Sequence, residues 1–255
     1  MGLFGKLFDK QCSICGNEIG LLGNRKLEDG NMCKECAAKL SPWFSDRRNS
    51  TVAEIEEQLA YREENKKAVE KFNVTLSLGT DVKVLIDEDA EKFMVTRARN
   101  IKEANPDVLD FSQVTGCRLD IDEDQTEETT EDKDGNEISY RPPRYFYSYD
   151  FHMIINVNHP YFDEITFRLN SSDVEINPNR GAITKPNPQL NADYREYEKM
   201  GKEIEEILTQ ARKRIREEAK AGAAPKTAVT CPNCLATTIP DANGCCEYCG
   251  SAINA

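Results

Sequence analysis

The chain has 255 residues, of which 31% are charged, and its formal net charge is −12 at pH 7. This length allows one to three domains, and the acidic balance disfavours a broad nucleic-acid-binding surface. No run approaches the roughly 18 consecutive apolar residues that a membrane-spanning helix needs.

Residues 1–10 form a short amphipathic leader in which apolar residues are interspersed with lysines. The leader is too short and too charged for a secretory signal, and it lacks the serine or threonine that myristoylation expects at position 6. We therefore expect a cytoplasmic protein. Because one such segment gives only marginal membrane binding, a peripheral membrane-associated adaptor is a weaker hypothesis and a membrane partner is disfavoured.

A cysteine-rich module is predicted over residues 11–73, and it begins with two Cys-x-x-Cys pairs. Each pair places two thiolates on one tight turn, and two pairs complete the tetrahedral shell of a structural zinc ion. In a reducing compartment, spaced cysteines indicate metal binding rather than disulfides. The predicted ligands are Cys12, Cys15, Cys33 and Cys36.

The residues between these two pairs predict a compact finger. Gly16 permits the tight turn of a zinc knuckle, Gly23-Asn24 predicts a two-residue hairpin, and Asp29-Gly30 predicts a turn back to the second pair. The second pair runs into a helix, so the order is that of a treble-clef finger. A longer helix is predicted over residues 52–72, opened by a Thr-x-x-Glu capping box.

Several segments of this module resemble a short cysteine-rich domain found in Firmicutes, domain of unknown function 4428. The resemblance is carried by Cys-x-x-Cys-Gly and by residues 22–30, 40–44 and 59–65, and it covers roughly residues 11–75. It implies a bacterial, zinc-binding protein and brings no assigned activity. A metal-stapled mini-domain is the favoured interpretation, because the module is too small to bury enough core alone. A dedicated recognition finger is the alternative.

Alternating hydrophobicity predicts a central antiparallel β domain over residues 74–220. The clearest strand covers residues 145–157, where odd-numbered positions are apolar or aromatic. The other predicted strands cover residues 82–86, 93–95, 108–114, 117–121, 165–169 and 174–176. These strands, closed by a long helix from Asp193 to about Lys220, resemble the pleckstrin-homology-like (PH-like) fold by element order alone, which licenses no activity.

Residues 120–137 contain ten acidic residues and one lysine. Four of the acidic residues fall at positions 1, 3, 5 and 12 of an EF-hand calcium loop: Asp120, Asp122, Asp124 and Glu131. However, Gln125 stands where that loop needs glycine, and predicted strands rather than helices flank it. The prediction is therefore a solvated acidic hairpin loop that turns at Asp134-Gly135.

A flexible tether is predicted over residues 221–228, followed by a second cysteine quartet over residues 229–255. This segment resembles the small zinc ribbon appended to many bacterial proteins. Its predicted ligands are Cys231, Cys234, Cys246 and Cys249. Cys245 adjoins Cys246, and either can coordinate, but the Cys-x-x-Cys-Gly register favours Cys246 because only it shares a knuckle with Cys249.

The sequence shows no catalytic constellation. His152 lies on the polar face of the predicted 145–157 strand, and His159 lies in the turn after it, so both are predicted to be exposed structural residues. Cys117 falls in phase with apolar neighbours and is predicted to be a buried thiol. A nucleophilic thiol needs a histidine or a cation beside it, so we expect that the protein is not an enzyme.

Together these patterns predict an α+β multidomain protein that holds two structural zinc ions per chain and binds an unidentified protein partner. A nucleic-acid-binding zinc-finger regulator is the alternative, because treble clefs and ribbons often bind nucleic acid. The first 50 residues carry eight basic and six acidic residues, however, and so lack a basic footprint. The compact basic patches are Arg47 and Arg48, and Arg212, Lys213, Arg214 and Arg216 on the long helix. A nucleic-acid partner is therefore disfavoured.

Overall fold

The computed structural model describes residues 10–177, 184–223, 228–240 and 244–253, with the backbone alone for residues 215–216 and 218–223. The predicted leader, apart from Lys10, and half of the predicted tether (residues 224–227) lie outside these residues. The chain forms two compact units, Met1–Arg212 and Lys213–Ala255. It mixes α-helices with antiparallel sheets.

Short strands and one helical turn make up the N-terminal cysteine module. Strand β1 (Lys10–Gln11) pairs antiparallel with β2 (Glu18–Ile19). Strand β3 (Arg25–Lys26) pairs antiparallel with β4 (Asn31–Met32). Helix α1 (Lys34–Ala37) follows.

Of the two predicted turns of this module, one is confirmed and the other is wrong. The turn at Asp29-Gly30 is confirmed, since the Leu27 amide donates to the Gly30 carbonyl at 3.0 Å. The two-residue hairpin at Gly23-Asn24 is wrong: β2 and β3, which flank it, pair with β1 and β4 rather than with each other. The physical reason is that the cysteine knuckle already brings β1 beside β2 and supplies its hydrogen-bonding partner.

Helix α2 (Val52–Lys71) has the predicted start and length. Its capping box is formed by Thr51 and Glu54, each of which binds the backbone of the other. The buried face is more polar than hydrophobic periodicity predicts. Its buried residues are Ile55, Gln58, Arg62, Asn65 and Val69.

Four antiparallel strands form the first central sheet, in the order β5-β6-β7-β8. Their bounds are β5 Leu76–Gly79, β6 Lys83–Asp87, β7 Lys92–Thr96 and β8 Leu109–Asp110. The short helix α3 (Ile101–Ala104) lies between β7 and β8. Neighbouring residues such as Val84, Leu85 and Ile86 are all buried, so β6 is covered on both faces.

The second central sheet is built around a very long hairpin. Strands β9 (Val114–Glu131) and β10 (Glu137–Val157) pair along most of their length. The other edge of β10 pairs with β11 (Glu164–Arg168) and β12 (Val174–Ile176). The predicted alternation along residues 145–157 is confirmed from residue 147 onward, where the odd-numbered side chains are buried.

The acidic segment is a strand over most of its length, so the predicted hairpin loop over residues 120–137 is wrong. Only residues 132–136 turn, around Gly135 at φ +80°. The acidic side chains remain in water along an exposed strand, and backbone pairing therefore costs them no hydration. At about 3.3 Å per residue, Asp124 and Glu131 are about 23 Å apart along the strand, which is incompatible with an EF-hand loop.

Helix α4 (Ala192–Ala223) covers the second sheet, as the predicted closing helix should. The Tyr194 ring meets the rings of Tyr149 and Phe151 with centroids 5.0 and 5.1 Å apart. At Gly201 the helix approaches the sheet closely, because an added Cβ would lie 2.5 Å from the Leu119 side chain.

The C-terminal unit contains one short hairpin and the second group of cysteines. Strand β13 (Val229–Thr230) pairs antiparallel with β14 (Thr237–Thr238). Cys231, Cys246 and Ile253 form its small buried core, against which Val229 packs.

Candidate metal centres

The N-terminal centre is assembled from a knuckle and a helix start. Cys12 and Cys15 lie in the turn between β1 and β2. Cys33 caps the N-terminus of α1, and Cys36 lies within that helix. The knuckle closes where the Gly16 amide donates to the Cys12 carbonyl at 2.8 Å, with Gly16 at φ +74°. The four predicted ligands therefore come together through two local structures.

The sulfur atoms of this centre have the spacing that zinc requires. All four lie within 4.8 Å of one another, and the Cys15 and Cys33 sulfurs are 3.7 Å apart. A tetrahedral shell with Zn–S bonds near 2.3 Å puts neighbouring sulfurs about 3.8 Å apart, whereas a disulfide bond measures about 2.0 Å. The donor set fits a zinc ion.

Backbone amides and burial shift the pKa values of the thiols in the N-terminal centre in opposite directions. Burial opposes ionisation of Cys12, but hydrogen bonds from the Cys33, Cys15 and Ile14 amides outweigh it and lower its pKa to about 6. For Cys36, burial followed by hydrogen bonds to Cys33 and Cys15 raises the pKa. Burial and these hydrogen bonds therefore favour the protonated form of Cys36, and metal binding there has to displace that proton.

A genuine hydrophobic core supports the N-terminal centre. Leu27, Met32 and Ile55 are fully buried beside the cysteines, and Phe44 and Leu59 pack against them. Ser13, between the two knuckle ligands, donates its amide to the Asn31 carbonyl at 2.7 Å and so ties the knuckle to β4. Three of the four cysteines are buried and Cys15 is exposed.

In the C-terminal centre, two pairs of sulfur atoms have nearly the same spacing as the pair in the N-terminal centre. The sulfurs of Cys231 and Cys249 are 3.6 Å apart, and those of Cys234 and Cys246 are 3.7 Å apart. The group of four that can hold an ion contains Cys246, which is the choice that the register favours. The neighbouring Cys245 instead pairs its backbone with Ala252 in an isolated antiparallel bridge.

Both knuckles of the C-terminal centre place a left-handed residue after their second cysteine. The Leu235 amide donates to Cys231 at 2.9 Å with φ +60°, and the Gly250 amide donates to Cys246 at 2.8 Å with φ +68°. Glycine accepts this conformation freely, whereas leucine does not. Sequence spacing located the knuckles, but the left-handed conformation of Leu235 was not predicted from it.

Polar neighbours that the sequence did not single out surround the C-terminal sulfurs. The Ser251 hydroxyl and then the Ser251 amide lower the pKa of Cys249 to about 6. Asn233 donates to the Cys249 sulfur at 3.8 Å and to the Ser251 hydroxyl at 2.9 Å. Two of the four cysteines, Cys234 and Cys249, are exposed.

The other candidate groups of the sequence lie in structural environments. His159 is not exposed, contrary to prediction: it is half-buried and stacks on Phe162 with ring centroids 4.1 Å apart. His152 is likewise only partly exposed, and it lies on the polar face of the sheet 3.7 Å from the Asp122 carboxylate. Cys117 is only partly buried, and burial followed by the charge of Glu205 raises its pKa to about 12.

In the basic patch of Arg47 and Arg48, the Arg47 side chain makes a hydrogen bond within the protein. Its guanidinium donates to the Lys26 carbonyl at 2.6 Å, and burial lowers its pKa. Among the helices that the structure describes, none combines the length and apolar character that crossing a bilayer requires.

Comparison with known proteins adds one match. The family model described as domain of unknown function (DUF4428) matches residues 10–58, a segment that contains the whole N-terminal cysteine quartet. No curated protein and no solved structure matches the chain. The chain thus carries a DUF4428 domain at residues 10–58, together with a second four-cysteine group near its C-terminus, and both groups are potential zinc sites.

Proposed function

We propose that the protein is a non-enzymatic, zinc-binding interaction protein that holds two structural zinc ions and presents a surface to another protein. The metal part of the proposal is supported by sulfur–sulfur distances of 3.6–3.7 Å in the two quartets. The chemistry of the remaining groups supports a non-catalytic role, because the Cys117 thiol stays protonated and His159 is stacked among aromatic rings.

The proposal also assigns a fold to the N-terminal cysteine module and to the central region. The succession of knuckle, hairpin and ligand-bearing helix supports a treble-clef-like finger at the N-terminus. Two consecutive antiparallel sheets, β5–β8 and β9–β12, followed by the covering helix α4, support a PH-like central region.

The observation that carries the interaction role is the far end of the β9–β10 hairpin, which we call the ribbon (residues 126–146). β12 pairs with β10 at residues 147–149 and β11 pairs with it at residues 152–156. Within the described residues, the two strands of the ribbon pair only with each other. An isolated two-stranded hairpin is marginally stable in water, so the ribbon contributes little to the core and is available to a partner.

The side chains of the ribbon indicate what kind of partner it would bind. It carries six acidic and three basic residues, and it exposes Ile138 (45%) and Phe146 (38%) to solvent. Aromatic and aliphatic side chains provide most of the binding energy of protein interfaces, while surrounding charges select and orient the partner. We therefore propose a protein partner with an apolar patch bordered by basic residues.

A shortened hairpin tests the role of the ribbon. Replacing residues 126–146 by Asn-Gly joins Gln125 to its register partner Tyr147 through a favoured two-residue turn. Affinity purification with the zinc-loaded full-length chain should recover a specific protein that the shortened chain does not recover. Ile138→Lys provides a point variant with the same expected loss.

The controls separate this proposal from its rival. Equal zinc content and equal melting temperature of the two baits show that the shortened chain is folded. Recovery of the same proteins by both baits would refute the ribbon as the binding surface. A salt-dependent gel shift with DNA or RNA, unaffected by the deletion, would favour the nucleic-acid-binding alternative instead.

A further inference from the structure

A buried polar network connects the N-terminal cysteine module to the first central sheet. At its centre, Arg62 of α2 forms an ion pair with Asp107 at 2.5 Å, and the side chains are only 6% and 0% exposed. Arg62 also donates to the main-chain carbonyls of Asn105 and Lys39, the latter at 3.2 Å. One guanidinium thus binds both the loop before β8 and the chain after α1.

The module contributes a second contact to the same carboxylate. The Ser41 hydroxyl donates to the other oxygen of Asp107 at 2.7 Å, and Ser41 is 4% exposed. Lys39 and Ser41 flank Leu40, which is buried in the same cluster as Cys33 and Cys36. The two module groups that contact the network therefore lie three and five residues after the ligand Cys36.

The loop before β8 depends on α2 for most of its polar partners. Asn65 donates to the Asn105 side chain and to the Pro106 carbonyl, both at 2.8 Å, and accepts from the Val108 amide at 3.0 Å. Asn105 adopts a left-handed conformation, φ +49°, and donates to the Arg62 carbonyl at 2.9 Å. The loop leads directly into β8, which pairs with β7.

The position of this network determines what the loss of metal would do. A buried ion pair is tolerated only while additional hydrogen bonds satisfy it, and removal of a partner leaves an uncompensated buried charge. In the metal-bound centre, Cys33 and Cys36 fix α1 and hence the positions of the Lys39 carbonyl and Ser41. Loss of the metal would remove this constraint from the short module, and Arg62 and Asp107 would then each lose a partner.

We propose that the N-terminal metal centre and the first central sheet are coupled through the Arg62–Asp107–Ser41 network. Metal binding there stabilises the loop of residues 105–108 and the adjoining β8, and metal loss loosens them. By linkage, the factor by which metal binding favours the intact network is also the factor by which disruption of the network lowers metal affinity. This coupling rests on the proposed zinc binding and makes the N-terminal zinc an integral support of the sheet, rather than a staple for its own module alone.

The first test measures metal affinity in a variant that leaves every cysteine and the hydrophobic core in place. Ser41→Ala removes the hydroxyl from Asp107, and we expect at least a fivefold weaker zinc affinity at the N-terminal centre, measured on the full chain by competition with a chromophoric chelator. Ser45→Ala is the matched control, because Ser45 is exposed and its side chain does not cap the helical turn that it precedes. We expect its affinity to equal that of the unmodified chain.

The second test measures the sheet directly by hydrogen–deuterium exchange on the full chain. Cys36→Ser should accelerate exchange of the amides of residues 105–110 at least tenfold relative to the zinc-loaded chain. Cys249→Ser, which disables the other centre, should leave these amides unchanged.

The outcomes distinguish the coupling from the metal centre itself. If Ser41→Ala and Ser45→Ala bind zinc equally well, or if Cys36→Ser leaves residues 105–110 protected, the coupling is refuted while zinc binding stands. If the unmodified reduced chain takes up no zinc at the N-terminal quartet, both proposals fail together. If Cys36→Ser unfolds the whole chain, the affinity comparison of the two serine variants decides by itself.

Discussion

Leu235 occupies a backbone conformation that its side chain disfavours. It lies at φ +60° after Cys234, where its amide completes the knuckle by donating to the Cys231 carbonyl. The two other knuckles place Gly16 and Gly250 at this position, with φ of +74° and +68°. The leucine side chain is 76% exposed and so contributes little packing. We therefore predict that Leu235→Gly stabilises the C-terminal centre.

The magnitude follows from two opposing terms. A non-glycine residue in the left-handed region costs about 1–2 kcal/mol, and Leu235→Gly removes this cost. Glycine also gives the unfolded chain more freedom, which offsets roughly 0.5–1 kcal/mol of the gain. A net gain of about 0.5–1 kcal/mol remains. Since folding of so small a unit is coupled to metal binding, zinc affinity at this centre should rise about two- to fivefold.

The assay is a chelator titration of the full chain, followed by hydrogen–deuterium exchange of residues 229–240 and 244–253, which reports this centre separately. Gly250→Ala is the reverse control, because its added Cβ would meet no atom within 4 Å and the variant therefore isolates backbone strain. It should weaken zinc binding by a similar factor. Weaker binding in Leu235→Gly, or no change in either variant, would refute the strain argument.

The remaining predictions concern both units. Gly79→Ala should lower the stability of the chain by at least about 2 kcal/mol in urea denaturation, because φ is +110° and the new Cβ would lie 2.1 Å from the Val82 carbonyl oxygen; an unchanged midpoint contradicts this. Thr51→Ala removes the capping box of α2 and should cost about 1 kcal/mol by the same measurement. With its pKa raised to about 12, Cys117 stays protonated at pH 8 and should react with iodoacetamide roughly a hundredfold more slowly than an exposed thiol, at a rate that rises with pH. A chelator should remove the C-terminal zinc first, because two of its ligands, Cys234 and Cys249, are exposed. Native mass spectrometry with alkylation mapping should find that chains retaining one zinc ion are alkylated in the C-terminal unit. Alkylation of the N-terminal unit instead would contradict this order of release.

Local patterns made the metal centres predictable. A Cys-x-x-Cys pair is a single turn, and only 18 residues separate Cys15 from Cys33 and Cys231 from Cys249, so short hairpins suffice to bring the sulfurs together. The same local logic selected Cys246 over Cys245, and it predicted the capping box and both long helices. Each of these features depends on residues a few turns apart.

Features that depend on distant partners were missed or misread. Hydrophobic periodicity could not show that Arg62 and Asn65 lie on the buried face of α2, because these polar side chains are buried only where complementary groups meet them. For Arg62 that group is Asp107, 45 residues away. His159 was likewise predicted to be exposed, and only its packing with Tyr61 and Phe162 accounts for its burial.

The sequence alone determined where metal can bind, because thiolate geometry is set within single turns and every ligand is chemically distinctive. It also determined the two long helices and most strands, through periodicity and capping. Only the tertiary structure decided that the acidic segment is a paired strand. It also decided that Arg62 of α2 and Asp107 before β8 form a buried ion pair to which Ser41 of the cysteine module donates a hydrogen bond. Both depend on which distant backbone and side-chain groups come together, and neither the charge nor the spacing of residues encodes that choice.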